Sequence, residues 1–179
     1  MRLFLNIIIA VSLFSCIESK KEKPLDEMIN MVHEVNEVND FELEIYDFDG
    51  IEKFFKTEND KTYVINFWAT WCGPCIKELP HFEVLNEEYK SKNVEVILVS
   101  LDFPKAYEKK LKPFIVKHKL NSKIIALNDT NSNSWIPKVS EAWSGAIPAT
   151  LIFNKDKRQF YERTFNYNEL INEVEQFLN

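Results

Sequence analysis

Residues 66–75 read NFWATWCGPC, in which an aromatic-rich run ends in two cysteines, Cys72 and Cys75. This stretch continues a run of β-branched and aromatic residues that begins at Lys61, KTYVINFWA, which predicts a buried strand. From Cys72 to about Tyr89 the apolar residues recur at helical spacing, so a helix follows the strand directly. Cys72 and Cys75 therefore lie at a junction between a strand and a helix. From their spacing alone, the pair is a redox centre, half of a metal site or a structural bridge.

The position of Cys72 favours redox chemistry. At the start of a helix its sulfur lies near unpaired backbone N–H groups and the positive end of the helix dipole. Such a position lowers a cysteine pKa from ~8.5 to roughly 3.5–7.5, and the thiolate is the form that attacks a disulfide. Cys75, one turn further on, is close enough to resolve a mixed disulfide. Pro74 is tolerated in the first turn, and Gly73 leaves the first sulfur uncovered.

The two other interpretations of the pair have less support. A CxxC loop closes too little chain to be an effective structural staple. A zinc site needs about four ligands, and the sequence contains no second CxxC, while His81 falls on a different part of the helix. We therefore expect no metal and no cofactor besides the Cys72–Cys75 pair.

The rest of the chain alternates between strand-like and helix-like segments. We predict strands at 41–48, 61–69, 93–103, 122–128, 147–154 and 158–165, and helices at 51–56, 72–89, 105–120, 135–143 and 167–179. Strands that alternate with helices predict a sheet covered on both faces. The last two strands are joined by a tight turn and must be antiparallel. The predicted fold class is α/β, with a mixed central β-sheet flanked by helices.

The first fifteen residues, MRLFLNIIIAVSLFS, have the layout of a signal peptide, with Arg2 before an apolar stretch. This stretch is too short to span a membrane. Its end, Leu13-Phe14-Ser15-Cys16, resembles the lipobox of bacterial lipoproteins, which implies cleavage before Cys16 and lipidation of that cysteine. The alternative is a soluble secreted protein with a free Cys16.

These patterns divide the chain into a signal peptide (1–15), a lipid-anchored tether (16–40) and one domain (41–179). Within the tether, the residues from Leu25 form either a short amphipathic helix or an ordered extension. Removal of the signal peptide takes Arg2 away and moves the net charge from −6 to −7. An acidic chain is a poor candidate for binding nucleic acid. We expect an extracytoplasmic protein on the periplasmic side, attached to a bacterial membrane by its acyl anchor.

WCGPC preceded by VINFWAT resembles the active site of the thioredoxin superfamily. A second motif, GAIPAT at 145–150, resembles the cis-proline loop of that family. The resemblance implies a thioredoxin-like fold in which Pro148 follows a cis peptide bond and lies against the Cys72–Cys75 pair. It also implies that the backbone of Ile147 pairs with the substrate peptide like an added strand. We expect Trp71 to offer that substrate a flat apolar surface.

The spacing between Cys75 and Pro148 indicates one group within the superfamily. Seventy-two residues (76–147) separate Cys75 from Pro148, enough for an extra helix and strand within 104–128. The TlpA/ResA-like thiol-disulfide oxidoreductases, which are exported and tethered to membranes, carry such an αβ insertion. Their CxxC is often followed by a stretch similar to Lys77-Glu78-Leu79-Pro80. The resemblance implies that Glu78 shuttles protons for Cys75, and the alternative is a solvated helix charge.

Other residues near the motif have simpler expected roles. Asn66, at a position where cytoplasmic thioredoxin has a buried Asp, is expected to be a buried amide with its hydrogen bonds satisfied. Trp68 is expected in the core, and Trp135 and Trp143 either line a substrate groove or pack in the core. The histidines belong to no recognisable constellation, and we interpret them as surface residues: His33, His81 and His118.

The resemblance implies a thiol-disulfide oxidoreductase that reduces disulfides of exported proteins, with electrons from a membrane thiol donor. Apocytochromes c are frequent clients of the family, so a role in cytochrome c maturation is expected by analogy. We expect a monomer. One alternative is a non-catalytic thioredoxin-fold binding lipoprotein. The other is a thiol peroxidase, which normally uses a Thr-x-x-Cys arrangement, whereas Thr70 stands only two residues before Cys72.

Overall fold

The computed structural model describes residues 25–27, 29–30, 32–33, 42–56 and 59–178. The expected signal peptide, Cys16 and most of the tether lie outside the described residues. The described residues between 25 and 33 are helical, and their apolar side chains Leu25, Ile29 and Val32 are exposed. In the described part of the chain, no helix is both long and apolar enough to cross a membrane.

Six strands form one mixed sheet. They are β1 (Glu44–Tyr46), β2 (Thr62–Trp68), β3 (Val94–Ser100), β4 (Lys123–Leu127), β5 (Ala149–Phe153) and β6 (Arg158–Tyr161). Their spatial order is β1-β4-β3-β2-β5-β6. The first four of these neighbours are parallel, whereas β5 runs antiparallel to both β2 and β6. The predicted mixed sheet and antiparallel final pair are confirmed.

Within residues 42–56 and 59–178, four α-helices lie between the strands and a fifth follows β6: α1 (Phe48–Glu52), α2 (Gly73–Tyr89), α3 (Lys112–His118), α4 (Ser132–Val139) and α5 (Tyr167–Glu175). A 3-10 turn (Pro104–Ala106) and a π-helical turn (Tyr107–Leu111) lead into α3. These turns, α3 and β4 form the insertion that was predicted between the CxxC helix and the proline loop. The helix α2 continues past Pro80 to Tyr89.

The strand β2 explains why the sheet is covered on both faces. All seven of its residues are buried, and successive side chains of a strand point to opposite faces. Val64 and Trp68 pack on one face in a core that includes Phe82 of α2. Ile65 and Phe67 pack on the other face, in a second core. A strand buried on both sides has no polar alternation, which is why its sequence reads as a mostly apolar run, with Asn66 as the polar residue inside it.

Several element boundaries differ from the predicted ones. The first strand is confined to Glu44–Tyr46 because Asp47 caps α1, accepting the N–H of Gly50 at 2.8 Å. The helix therefore begins at Phe48 rather than at Ile51.

The ends of other elements also differ from prediction. The third strand ends at Ser100, not at 103, because the carboxylate of Asp102 turns back to bind Ser100 and Thr70. The fourth helix covers Ser132–Val139 instead of 135–143. The last strand ends at Tyr161 rather than at 165.

Candidate active site

The two cysteines lie between the end of β2 at Trp68 and the start of α2 at Gly73, and they are joined in a disulfide. Cys72 is the N-cap residue of α2, and its Sγ accepts the backbone N–H of Cys75 at 3.3 Å. An N–H group that points at the sulfur, together with the helix dipole, favours the thiolate of Cys72 once the bond is reduced. The local structure thus supports the chemistry expected from the sequence.

The two cysteines differ slightly in exposure, and the residues around Cys72 are open to solvent. Cys72 is 5% exposed and Cys75 is fully buried. Gly73 and Pro74 are exposed, a side chain at Gly73 would project into open space, and Trp71 is 60% exposed. A partner disulfide can therefore approach Cys72 and not Cys75.

The proline loop lies against the cysteine pair. The Ile147–Pro148 peptide bond is cis, and the carbonyl oxygen of Ile147 lies 3.7 Å from Sγ of Cys72. Trp143 braces this loop, because its Nε1 donates to the carbonyl oxygen of Ala146 at 2.8 Å. Trp143 and Trp135 are both buried in the second core, so the interpretation of either one as a groove-lining residue is wrong.

Glu78 is a buried carboxyl one turn beyond Cys75. It is 2% exposed; its Oε1 accepts from Nδ2 of Asn66 at 2.9 Å, and its Oε2 accepts the N–H of Phe165 at 2.8 Å. Burial raises the pKa of Glu78 from 4.5 to about 7, and the two hydrogen bonds oppose that rise only in part. The alternative of a solvated helix charge is wrong.

The partner of Glu78, Asn66, is buried but only partly satisfied. Its Nδ2 donates to Glu78 and to Oγ1 of Thr150, at 3.1 Å, whereas its Oδ1 has no hydrogen-bond partner among the described residues. The prediction of a fully satisfied amide is wrong for that oxygen. A half-turn of the amide would present Oδ1 to a protonated Glu78. A cavity of about 470 Å³, lined by Glu78, His81 and Phe165 among others, gives the carboxyl a route to solvent.

Sequence reasoning missed Asp102, which holds the loop in front of Cys72. This buried carboxylate accepts the N–H of Thr70 at 2.9 Å and the hydroxyl of Thr70 at 2.6 Å. It also accepts the hydroxyl of Ser100 at 2.9 Å. The available signal was an Asp just after a buried strand that is parallel to β2, because parallel neighbours end at the same edge of a sheet.

All three histidines lie within the described residues. Within the described ranges, no group of three or more His, Cys, Asp or Glu residues could hold a metal ion. His33 and His118 are exposed and His81 is half-buried, while the ring of His118 stacks on Phe114 at 4.1 Å between centroids.

The mixed sheet, the CxxC disulfide at the start of α2 and the cis-proline loop against it assign the protein to the thioredoxin-fold class. This confirms the resemblance drawn from the two motifs. A family model described as AhpC/TSA family matches residues 35–158, and the chain belongs to this family.

Among curated relatives, the chain is similar to proteins named thiol-disulfide oxidoreductase ResA. It is 30% identical to one from Bacillus cereus over 113 residues, which are 63% of this chain and 60% of that protein. It is 55% identical to the one from Oceanobacillus iheyensis over 42 residues, 24% of this chain and 22% of that protein. The chain thus spans 60% or less of the length of these two relatives.

Solved structures share the fold. A thioredoxin-related protein from Neisseria meningitidis serogroup B aligns with a TM-score of 0.58 at 23% identity, covering 68% of this chain and 87% of that chain. A thiol:disulfide interchange protein of the thioredoxin family from Chlorobium tepidum TLS aligns with a TM-score of 0.56 at 16% identity, covering 67% and 81%. At these identities the likeness concerns the fold.

Proposed function

We propose that the protein is a thiol-disulfide oxidoreductase that reduces disulfides of exported proteins. The observation that carries the proposal is the Cys72–Cys75 disulfide, in which one sulfur can be approached beside Trp71 and the other is buried. The contact of Cys72 with the carbonyl of Ile147 supports it, because that edge is where an extended substrate peptide would pair. The likeness to ResA proteins agrees with the same activity.

The reaction begins with the reduced pair. The Cys72 thiolate attacks one sulfur of the partner's disulfide, that bond breaks, and the other partner sulfur leaves as a thiolate that takes up a proton. Cys75 then loses its proton and attacks Sγ of Cys72. The mixed disulfide breaks, the Cys72–Cys75 disulfide closes, and the partner has gained two electrons and two protons. A membrane thiol donor must then reduce the pair again.

Glu78 is the proposed acceptor of the Cys75 proton. A buried thiol cannot pass its proton directly to water, and Glu78 lies on the same helix, three residues further on. With a pKa of about 7, its carboxyl is ionised often enough at neutral pH to accept a proton and acidic enough to release it. The cavity at His81 would deliver that proton to solvent.

The reaction is tested by trapping the mixed disulfide. The reduced protein should reduce a disulfide peptide, a Cys72→Ser variant should have no activity, and a Cys75→Ser variant should accumulate the mixed disulfide with exported proteins. Cys16→Ser is the matched control, which keeps the redox pair. A protein that neither reduces the peptide nor traps a partner would instead be a binding lipoprotein.

The direction of electron flow is tested by the reduction potential of the pair. A value near that of thioredoxin, about −270 mV, is expected for a reductase, whereas a value near about −120 mV would make the protein an oxidant.

A thiol peroxidase is the alternative that the AhpC/TSA match raises. Thr70 does not support it, because its hydroxyl donates to Oδ1 of Asp102 at 2.6 Å and is not directed to the cysteine. Turnover in a peroxide-consumption assay with a thiol reductant would favour the peroxidase.

Attachment to the membrane through Cys16 is a separate part of the proposal and rests on the sequence pattern at 1–16. Incorporation of a labelled fatty acid into the full chain, lost in Cys16→Ser, is the expected result.

Apocytochromes c are proposed clients by analogy, and a monomer is the proposed state.

A further inference from the structure

The insertion differs in charge from the rest of the protein. Residues 103–119, FPKAYEKKLKPFIVKHK, contain six lysines and one glutamate, whereas the whole chain has 22 Lys and Arg against 28 Asp and Glu. We call residues 103–119 the basic insertion. A net charge of +5 within a chain of net charge −6 is a strong local departure, and such local fields steer partners of opposite sign.

The basic insertion forms one wall of a cleft beside the cysteine pair. The cleft has a volume of about 340 Å³ and is lined by Thr70, Trp71, Lys110, Pro113, Phe114 and Lys117. Trp71 immediately precedes Cys72, so the cleft begins where a partner disulfide must arrive. Three of its lining residues, Trp71, Pro113 and Phe114, are apolar, and its two lysines are exposed, which suits a peptide side chain better than a small ion.

Within the part of the chain that the structure describes, the lysines of this cleft have no carboxylate partner. Among the described residues of the basic insertion, the ion pair formed is Lys112 with Glu108, at 2.8 Å. Lys110 and Lys117 make no ion pair with any described residue. Elsewhere in the fold, lysines such as Lys123 do pair with a carboxylate. The two cleft lysines are therefore available to a partner.

One carboxylate, that of Glu162, lies on the opposite side of the cysteine pair from the basic insertion. Glu162 accepts the N–H groups of Ser144 and Ala146, just before the Ile147–Pro148 bond. In sheet order, the basic insertion follows β3, on one side of β2, and Glu162 follows β6, on the other side. The lysines of the basic insertion therefore lie on the side of the cysteine pair away from Glu162.

We propose that the cleft formed by Trp71, Lys110 and Lys117 is a docking surface for an acidic segment that flanks the disulfide of the partner protein. This inference rests on the proposed function and specifies its substrate class. One pair of opposite charges about 6 Å apart in water changes an encounter rate about threefold, so two lysines and two carboxylates give about tenfold. Trp71 supplies the apolar contact that holds the segment over Cys72.

The test uses three disulfide peptides that differ only in the two residues flanking the cysteine, which are Glu, Gln or Lys. The reduced full-length protein is mixed with each peptide, and the second-order rate constant is followed by tryptophan fluorescence. At an ionic strength of about 0.01 M, where the Debye length is about 30 Å, the Glu peptide should react about tenfold faster than the Gln peptide. At about 0.15 M the difference should shrink.

A charge-reversal variant, Lys110→Glu with Lys117→Glu, should reverse the order of the peptides. Faster reduction of the Lys peptide by this variant is a gain, so loss of folding cannot produce it. The matched control is Lys90→Glu with Lys92→Glu. These lysines follow the far end of α2, whose 17 residues span ~25 Å, and the control should keep the order of the native protein.

Three results would overturn the docking surface. Equal rates for the three peptides with the native protein would leave the proposed function intact and remove this inference, whereas no reduction of any peptide would contradict the proposed function itself. Reversal by the Lys90 and Lys92 control would assign the effect to net charge rather than to the cleft. If the Lys110→Glu, Lys117→Glu variant kept the native order of peptide rates, these two lysines would not be the residues that select the acidic segment.

Discussion

Replacing Glu78 with Gln should change the way in which the stability of the oxidised protein depends on pH. In the folded protein burial raises the pKa of this carboxyl to about 7, while the N–H of Phe165 and the amide of Asn66 offset part of that cost. In the unfolded chain the same carboxyl titrates near 4.5. Between these two values the native state binds more protons than the unfolded state, so stability falls as the pH rises.

The size of this effect follows from the two pKa values. The difference between about 7 and 4.5 corresponds to about 3 kcal/mol, at 1.36 kcal/mol per pKa unit. The contribution of Glu78 is fully present below pH 4.5, is lost as the pH rises to about 7 and stays constant above that value. Gln is neutral throughout. The free energy of unfolding of Glu78→Gln, relative to the native protein, should therefore rise by about 3 kcal/mol between about pH 4.5 and pH 8.

A constant difference between the two proteins does not affect this result. Gln has one acceptor where the carboxylate has two, so one hydrogen bond of about 1 kcal/mol is at stake. Rotation of the Asn66 amide, whose Oδ1 has no partner among the described residues, can restore it. Either outcome shifts the curve by the same amount at every pH and leaves its slope unchanged.

The assay is urea unfolding of the oxidised protein at several pH values from about 4.5 to 8. Glu87→Gln is the matched control, because Glu87 is exposed on the same helix and its removal reports the general effect of losing one carboxyl. A difference between Glu78→Gln and the native protein that does not change with pH, within the extrapolation error of about 10–15%, would contradict this prediction. It would mean that Glu78 is solvated in the folded protein.

Three further predictions concern Glu78, Asp102 and Gly145. The rate at which Glu78→Gln releases a partner from the mixed disulfide, measured by stopped-flow fluorescence, should no longer depend on an ionisation near pH 7. A pH profile unchanged from that of the native protein would exclude Glu78 as the proton acceptor. Asp102→Asn should lower the free energy of unfolding by about 1.5–3 kcal/mol, because charge-assisted bonds to Thr70 are lost. It should also slow disulfide exchange. Exchange at the native rate would show that the loop before Cys72 does not need this hydrogen bond. Gly145→Ala should lower the free energy of unfolding, measured in urea, by about 1–2 kcal/mol. The reasons are that Gly145 has φ +95 and that a Cβ there would lie 3.2 Å from Ile136. Unchanged stability would show that the proline loop adapts to the extra methyl group.

The fold could be predicted from the sequence because its evidence is local. The mostly apolar run of β2, without polar alternation, indicates burial on both faces, and the CxxC directly after it marks the start of α2. The tight turn between β5 and β6 fixes their antiparallel pairing. Boundaries were missed where one polar side chain ends an element, as Asp47 and Asp102 do, because a hydrophobic pattern does not register a single cap.

The environment of Glu78 could not be predicted from the sequence in the same way. Its spacing from Cys75 placed it on the correct helix. The group that binds its buried carboxyl, the N–H of Phe165, is 87 residues away in the chain. Asn66 was expected to be satisfied because a buried amide normally is. That its Oδ1 has no partner among the described residues depends on how β2, β5 and α2 pack together.

The direction of the strands explains why the separate parts of the site meet. The strands β2 and β3 are parallel and in register from Thr62 to Trp68, so both end at one edge of the sheet. The strand β5 runs antiparallel to β2, with Phe67 opposite Ala149, and therefore begins at that same edge. Residues just after β2 and β3 and just before β5 must then converge, and these are Cys72, Asp102 and Pro148. The basic insertion leaves β3 at the same edge, so a change in its lysines alters the approach to Cys72 without any change in the cysteine pair itself.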